Sequence, residues 1–560
     1  MRFAFALIVN LVRFLLWPAR ALVSARAAPR GAWLEVRIDG PLVEVAPKSP
    51  FWDRRSRPTA LHELRRLVKV ASGDPRVAGL LVVLKGWQGG NATATALRRI
   101  LASVREQGKR VVVYLPHGGG TRATYVASVA NQIILAPQSH LSPLGYAVQA
   151  QYLKGALDQV GVEPEVLAHG RFKAAGETLV SEEMSPAHRE QLEALLDDVH
   201  TVLVDALAEG RGVSRKLARE WVDEGPWSAA AAIRQGLADG AAHADELRER
   251  LDPAASSGAP IVGFRRYLRR RVLCWYPWRR RPRIGVIELH GPIVADAPTP
   301  FPVATGERFT ECVDRALGDR SVRGVVLHVN SPGGSVLVSD QMLHGVRRLA
   351  KKKPVVACFG DVAASGGYLA ALGTAALYAE ATTITGSIGV VAARLGVGPL
   401  LDRLGIRVHT VKRGNRADMH SPARALAPDE RAVLERELEE VYRYFVEAVA
   451  RGRARAVAEI EPLAEGRIYS GIAAHRLGLI DGVGGFPEAV RDLQQRIGSR
   501  AGRLEPQLVG PRWPRDIAAA VWPRQVGVMW RELLALSCNG VERVWMWCPT
   551  RIVDAGTKLR

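Results

Sequence analysis

The 560-residue sequence is poor in cysteine, and its cysteines show no regular spacing. There are five, an odd number, so they do not form a disulfide framework. No pair of them has the spacing of a zinc site, no glycine-rich loop has the form of a Walker motif, and no nucleic-acid-binding motif is present. The sequence therefore implies no metal, no cofactor and no nucleic-acid partner. The cysteines are Cys274, Cys312, Cys358, Cys538 and Cys548.

The chain also lacks a clean hydrophobic run long enough to cross a membrane. Phe3–Trp17 is mostly apolar but contains Arg13, and fifteen helical residues span about 22 Å of a hydrocarbon core about 30 Å thick. On a helix, Arg2, Arg13 and Arg20 would share one face, which favours a helix lying in the membrane interface. A short transmembrane anchor, a cleaved signal peptide and a helix packed on its own domain are the alternatives.

Acidic residues are outnumbered, 56 against 77 basic ones, which leaves a net charge of +21. Such a charge favours anionic surfaces, and without a nucleic-acid motif we expect lipid headgroups to be the partner. The hydrophobic fraction of 48% and the charged fraction of 24% are typical of globular proteins. The length predicts several domains.

A long internal repeat organises the sequence. WLEVRIDGPLVE, from Trp33, matches IGVIELHGPIVA, from Ile284, and GLLVVLKGWQGG, from Gly79, matches GVVLHVNSPGG, from Gly324. Further matches follow, and the offset stays between 242 and 251 residues throughout, which predicts a tandem domain duplication. The predicted parts are a membrane-associating segment (1–30), an N-terminal repeat (31–255), a basic linker (256–283), a C-terminal repeat (284–500) and a Trp-rich tail (501–560).

Each half alternates apolar runs with amphipathic stretches. GLLVVL and KRVVVYL are continuous apolar runs, typical of buried parallel strands, and NATATALRRILASVREQG between them has helical spacing. This alternation predicts α/β domains. Trp275, Tyr276 and Trp278 stand among arginines in the linker, which fits a membrane-contacting patch and a solvated linker equally well. The tail fits a second interfacial segment or a helix packed on the core.

Comparing the two halves identifies a pair of candidate catalytic residues. GDVAASGGY contains Ser365, and a serine nucleophile needs a base. The next histidine, His409, lies in the strand-like run GIRVHTVKRG and is more typical of a structural residue. The first half has Arg122 opposite Ser365, while the second half has Ala417 opposite Lys173. Each half keeps at most one member of a pair, so two incomplete half-sites predict one Ser–Lys dyad, because a buried lysine can lose its proton.

Other parts of a hydrolytic site lie in the second half. VNSPGGS follows an apolar strand, and Gly333 and Gly334 would let backbone N–H groups turn toward an oxyanion. The amides of Gly366 or Gly367, after the serine, are further candidates. TGSIG provides Ser387, whose hydroxyl would orient the lysine amine or serve as a turn hydroxyl.

VNSPGGS, GDVAASGGY and TGSIG, in this order and after a first half containing the FKAA lysine, resemble the signal peptide peptidase A (protease IV) family in its long tandem-domain form. The resemblance runs from about Trp33 to Leu493. It implies an α/β fold of tandem duplicated crotonase/Clp-like ββα-superhelix domains. It also implies a serine protease of the bacterial inner membrane that faces the periplasm, degrades released signal peptides and forms a homo-tetramer.

The resemblance assigns a role to each candidate residue. Ser365 is the nucleophile and Lys173 the general base, and Ser387 is a partner of that lysine. Gly333, Gly334 and Gly366 lie at or near the oxyanion site. The N-terminal anchor departs from the family pattern because it is shorter and richer in arginine than a clean span, and KGWQGG replaces VNSPGG in the first half.

Three rival functions make different demands on the sequence. A crotonase-like acyl-CoA enzyme requires acid/base carboxylates and leaves Ser365 and Lys173 unexplained. A Clp peptidase requires a histidine soon after the serine, and none follows. A membrane scaffold that keeps the fold without the chemistry predicts that Ser365→Ala has no effect.

Overall fold

The computed structural model describes residues 2–47, 58–272, 281–295, 303–498, 504–510, 545–547 and 553–554. Two helices open the chain, α1 (Arg2–Leu15) and α2 (Trp17–Ala25). Two α/β repeats follow, and each is built on its own largely parallel sheet. The predicted α/β class and the tandem duplication are confirmed.

In the first repeat, helices and strands alternate along the chain. Its strands are β1 (Ala32–Val43), β2 (Thr59–Ala60), β3 (Val77–Gln88), β4 (Arg110–Leu115), β5 (Gly119–Gly120), β6 (Gln132–Leu135), β7 (His140–Ser142), β8 (Tyr146–Ala147), β9 (Glu163–His169), β10 (Trp227–Ser228), β11 (Gly240–Ala241) and β12 (Ile261–Gly263). Its helices are α3 (Leu61–Ala71), α4 (Asn91–Glu106), α5 (Thr121–Ala127), α6 (Lys154–Val160), α7 (Glu177–Val180), α8 (Pro186–Arg211), α9 (Arg215–Asp223), α10 (Ala229–Arg234), α11 (Leu247–Leu251) and α12 (Phe264–Arg271).

The second repeat follows the same plan. Its strands, the last three of which lie in the predicted tail, are β13 (Arg283–His290), β14 (Ile293–Val294), β15 (Ala304–Thr305), β16 (Val322–Ser331), β17 (Gly333–Ser335), β18 (Val355–Ala364), β19 (Leu377–Ala379), β20 (Ile384–Gly386), β21 (Val390–Gly396), β22 (Ile468–Ser470), β23 (Gly482–Val483), β24 (Glu505–Leu508), β25 (Trp545–Trp547) and β26 (Val553–Asp554). Its helices are α13 (Gly306–Gly318), α14 (Val336–Ala350), α15 (Gly366–Ala371), α16 (Gly398–Arg403), α17 (Pro428–Arg453), α18 (Val457–Ile460), α19 (Gly471–Arg476) and α20 (Phe486–Ile497).

The two main sheets have matching strand orders. The first runs β11-β6-β4-β3-β1-β12, and the second contains the equivalent path β23-β19-β18-β16-β13-β24. In the second sheet, β18 also pairs with β20, which pairs with β22. The central strands of both are parallel and are covered on both faces, which explains why their sequences are continuous apolar runs. In β3, for example, all side chains from Leu80 to Leu84 are buried.

Local sequence signals set the ends of the long helices. Ser185 begins α8, because its hydroxyl accepts a hydrogen bond from the His188 amide at 3.2 Å, and Pro186 occupies the first helical position. Gly212 ends α8 with a φ of 66°, a left-handed conformation that glycine adopts without strain. These two signals bound the 26-residue helix Pro186–Arg211.

The structure differs from the predicted linker and tail at both repeat ends. In the predicted linker, β12 pairs with β1, and α12 buries Phe264 and Tyr267 in the core of the first repeat. In the predicted tail, β24 pairs with β13 in the equivalent position of the second sheet. Each repeat is therefore longer than the sequence comparison indicated. The aromatic residues Trp275, Tyr276, Trp278, Trp513, Trp522 and Trp530 lie outside the described residues.

The N-terminal helices form a bent pair. The bend between Leu7–Leu15 and Trp17–Ala25 is 64°, and Pro18 stands in the first turn of α2. Within the residues that the structure describes, no single helix is long and apolar enough to cross a membrane, although this bent pair has the length and composition to do so. The Ser24 hydroxyl donates to the Arg271 carbonyl at 3.0 Å, so α2 packs on α12.

The two repeats are joined by polar contacts as well as by apolar packing. Asp361, on β18, caps the start of α4 in the other repeat. Its carboxylate accepts hydrogen bonds from the amides of Gly90 and Thr93, both at 2.9 Å, and from the Thr93 hydroxyl at 3.0 Å. Helix N-termini favour such a carboxylate because their first N–H groups have no partner in the helix.

We therefore expect Asp361→Ala to loosen the contact between the repeats. The substitution leaves the α4 amides without their acceptor and should lower the free energy of unfolding by about 1–2 kcal/mol. Thermal denaturation of the full chain measures the change as a lower Tm. The matched control is Asp402→Ala, which removes an exposed carboxylate paired with Arg407 and should leave the Tm nearly unchanged. Equal Tm values for the two variants would contradict this account.

Candidate active site

Ser365 lies in a sharp turn between β18 and α15. Its backbone has a φ of 53°, which is uncommon for a residue with a side chain and costs conformational energy. The Ser365 amide donates to the Gly386 carbonyl at 2.8 Å, which anchors the turn to β20. The residue is completely buried. The turn thus holds the hydroxyl at the C-terminal end of a central strand.

Lys173 reaches this turn from the other repeat. Strand β9 leaves the first repeat and pairs antiparallel with β21, from His169 opposite Val390 to Glu163 opposite Gly396. Lys173 follows β9 after a short turn, and only 5% of it is exposed. The pairing of β9 with β21 therefore places a first-repeat lysine inside the second repeat.

The lysine amine contacts both predicted serines. Lys173 Nζ donates to Ser365 Oγ at 3.0 Å, to Ser387 Oγ at 3.0 Å and to the Ser387 carbonyl at 3.2 Å. Ser387, like Ser365, has a positive φ, of 52°. The three acceptors match the three donors of a lysine ammonium group. The structure thus brings together the three polar side chains that the sequence singled out.

The glycines of the VNSPGGS loop face the same turn. Gly333 and Gly334 have φ values of 100° and 148°, which favour glycine. A Cβ on Gly366 would lie 3.4 Å from the Gly334 amide nitrogen and would clash with the Ser339 hydroxyl. The Gly334 and Gly366 backbones therefore adjoin next to Ser365. The Gly333 amide donates to Ser331 Oγ at 3.2 Å, so it is already engaged within the loop.

The equivalent place in the first repeat has a different chemistry. Arg122 stands opposite Ser365, and its guanidinium donates to the Gly89 carbonyl in the KGWQGG loop. An arginine side chain thus contacts the loop that corresponds to VNSPGGS. This half carries no hydroxyl at the serine position, as the sequence comparison predicted.

His409 lies in a setting unlike the one predicted from its sequence. Residues 406–412 form no strand, contrary to the prediction, and His409 is exposed. Gly405 and the turn that ends α16 come immediately before this segment. All of residues 406–412 are exposed, and none pairs with a sheet. The described hydrogen bond from a basic side chain to Ser365 comes from Lys173.

Comparison with known proteins places this architecture in a family. The profile of Peptidase family S49 matches the chain twice, at residues 103–257 and 347–499. The chain belongs to peptidase family S49. It carries two S49 domains in tandem, and the predicted resemblance to the protease IV family is confirmed.

Several relatives resemble this S49 peptidase over most of its length. The serine protease SPPA of Arabidopsis thaliana chloroplasts is 30% identical over 434 residues, which cover 76% of this chain and 64% of that protein. Protease 4 of Haemophilus influenzae is 26% identical over 500 residues, covering 85% and 81%. Protease 4 of Salmonella typhi is 29% identical, covering 78% and 72%. The chain thus spans slightly less than two thirds of the Arabidopsis protein.

Two residues that position Lys173 were missed from the sequence. The Gln191 amide, on α8, donates to the Phe172 carbonyl at 3.0 Å, and its oxygen accepts from the Ile468 amide at 3.2 Å. Gly466 packs directly against Lys173, where a Cβ would come within 2.6 Å of the lysine Cβ. Both residues bridge the repeats, and no local motif marks them, because their role depends on how the repeats pack.

Gly466→Ala should displace Lys173 with only a modest loss of stability. Because the new methyl group would overlap the lysine Cβ, we expect kcat/KM for peptide hydrolysis to fall by about tenfold or more. The matched control is Gly478→Ala: the φ of Gly478, 73°, is close to the 76° of Gly466, but a Cβ there meets only the flexible Arg455 side chain. Equal activities in the two variants would show that Gly466 does not position the lysine.

Proposed function

We propose that this S49 peptidase is an endopeptidase in which Ser365 is the nucleophile and Lys173 is its general base. The observation that carries the proposal is the 3.0 Å contact between Lys173 Nζ and Ser365 Oγ. Burial disfavours the charged form of an amine, so a lysine that is 5% exposed is suited to accept a proton. The two Ser387 oxygens hold the amine in place and direct it toward the serine.

The proposed reaction uses only groups of this chain and water. Neutral Lys173 takes the proton of the Ser365 hydroxyl as Oγ attacks the peptide carbonyl carbon. The backbone N–H groups of Gly334 and Gly366 stabilise the oxyanion that forms. The lysine ammonium group then gives its proton to the leaving amine. A water molecule, deprotonated by the same lysine, hydrolyses the acyl-enzyme and regenerates Ser365.

The substrate peptide is proposed to bind as an extended strand between β17 and β21. A segment of the chain itself, β25, lies there. It runs antiparallel to β17, with Met546 opposite Gly334 and Trp547 opposite Gly333, and Trp545 also pairs with Val391 of β21. Peptides that complete a sheet are held mainly by main-chain hydrogen bonds, which tolerate many sequences. This position therefore suits extended peptides of varied sequence.

The finer substrate and location are part of the same proposal. Released signal peptides are extended and apolar, which suits a strand-shaped site. Exposed apolar residues on α1, such as Ile8, Phe14 and Leu15, support contact with a lipid surface. We place the protein at the bacterial inner membrane with its active site toward the periplasm, as a homo-tetramer that binds peptide and lipid but no nucleic acid.

The dyad is tested by hydrolysis of a synthetic signal peptide by the full chain in the presence of lipid vesicles. Ser365→Ala and Lys173→Ala should each lower kcat by about 10³-fold or more, because each removes a group that takes part in bond making. A fluorophosphonate should label the wild-type serine and not that of Lys173→Ala. Lys154→Ala, which removes an exposed lysine paired with Asp158, is the control and should stay active.

Each alternative has its own outcome. Full activity in Lys173→Ala would mean that another group is the base, and His409 would be tested next. A wild-type protein that is folded and still inactive toward peptides would favour the scaffold function. These conclusions about the base and about the scaffold function require that each variant has the same Tm as the wild type.

The strand position is tested by Met546→Pro. Proline has no N–H group and does not fit a central strand, so β25 should leave its place and free the site for peptide. Because a tethered segment competes at an effective concentration of about 1 mM, we expect kcat/KM to rise by about threefold or more. Met546→Ala keeps the main chain and should behave like the wild type. If Met546→Pro leaves kcat/KM unchanged, peptides bind elsewhere.

A further inference from the structure

A second cluster of reactive side chains lies in the C-terminal repeat, outside the dyad. Glu288 and His290 alternate along β13 and therefore point to the same face of the sheet. His328, on the adjacent strand β16, pairs with Glu288 in the parallel register. The imidazole nitrogens His290 Nε2 and His328 Nδ1 are 2.8 Å apart. One ligand atom from each of the three residues lies within 4.8 Å of the other two.

We propose that Glu288, His290 and His328 bind a divalent transition-metal ion, with zinc the ion that best suits them. Two imidazole nitrogens and one carboxylate oxygen form a donor set that zinc uses in sites with three protein ligands. At Zn–N and Zn–O distances of about 2.0–2.2 Å, tetrahedral ligand atoms lie about 3.3 Å apart. Small side-chain rotations bring the three atoms to that spacing, and a fourth position stays open for water.

The surroundings come from both repeats. Glu44 and Arg65, of the first repeat, form an ion pair at the cluster, and the Arg65 guanidinium stacks 5.9 Å from the centre of the Phe486 ring. Phe486 in turn meets His328 edge-on at a centroid distance of 6.4 Å. Side chains of both repeats therefore enclose the cluster.

A metal in this place would fix the strand that leads to the active site. β16 carries His328 and ends at Ser331, within the VNSPGGS loop and two positions before Gly333. Because the ion would link β16 to β13, it would make the end of β16 that leads into the glycine loop more rigid. The ion is proposed as a structural one, and the hydrolytic reaction does not pass through it.

The test uses the full chain, prepared without a histidine tag and stripped with a chelator. After incubation with ZnSO₄ and gel filtration, elemental analysis should find about one Zn²⁺ per chain in the wild type. The double variant His290→Gln/His328→Gln should retain none, whereas the control His344→Gln, which changes an exposed histidine on α14, should retain the ion. Added Zn²⁺ should also raise the Tm of the wild type and of the control but not that of the double variant.

A variant with a smaller structural change guards against misfolding. If the double variant does not fold, Glu288→Gln keeps the shape of the side chain and should weaken Zn²⁺ binding by about tenfold or more in a chelator competition. Zinc retained equally by the wild type and by these variants would overturn the proposal. So would a wild type that retains no zinc and shows no rise in Tm.

Discussion

The antiparallel pairing of β9 with β21 is the contact on which the active site depends. Strand β9 belongs to the first repeat by sequence, yet it forms the edge of a sheet of the second repeat, whose order is β15-β14-β17-β25-β21-β9. One edge of this sheet delivers Lys173, and its middle strands carry the glycine loop. The register of β9 on β21 sets the height of the lysine relative to Ser365, because a slip by one residue would turn every side chain of β9 to the other face.

The positive φ values of Ser365 and Ser387 show where the surrounding structure is under strain. Both residues contact the same amine, and both are buried almost completely. Such backbone conformations persist only where neighbouring contacts over-determine them. Here the amides of the two residues are tied to the Gly386 and Arg467 carbonyls, at 2.8 and 2.7 Å. The strained turns hold both hydroxyls against the Lys173 amine, and acid–base chemistry needs this arrangement.

The sequence was enough to predict the fold class and the duplication, and it singled out the two residues of the proposed dyad, each for an identifiable reason. Apolar runs and helical spacing are local properties, so β3 and α4 could be placed from the order of apolar and polar residues alone. The dyad emerged from comparing positions 365 and 173 with their counterparts in the other half. What could not be predicted depends on packing between distant segments. Neither the role of Gln191 nor that of Gly466 is visible before the repeats are docked. The histidine cluster was missed because its members come from two strands whose register the sequence does not state.

The proposed dyad is divided between the repeats, and this division has a consequence for synthesis of the chain. Lys173 and Ser365 are separated by 192 positions. The first repeat carries the lysine without the serine, and the second carries the serine without the lysine. A ribosome that has completed only the first repeat has made a fold with no nucleophile. A chain whose repeats have folded but not docked has a serine with no base. Under the proposed mechanism, proteolytic capacity would therefore arise only at the last step of assembly, when the two repeats dock.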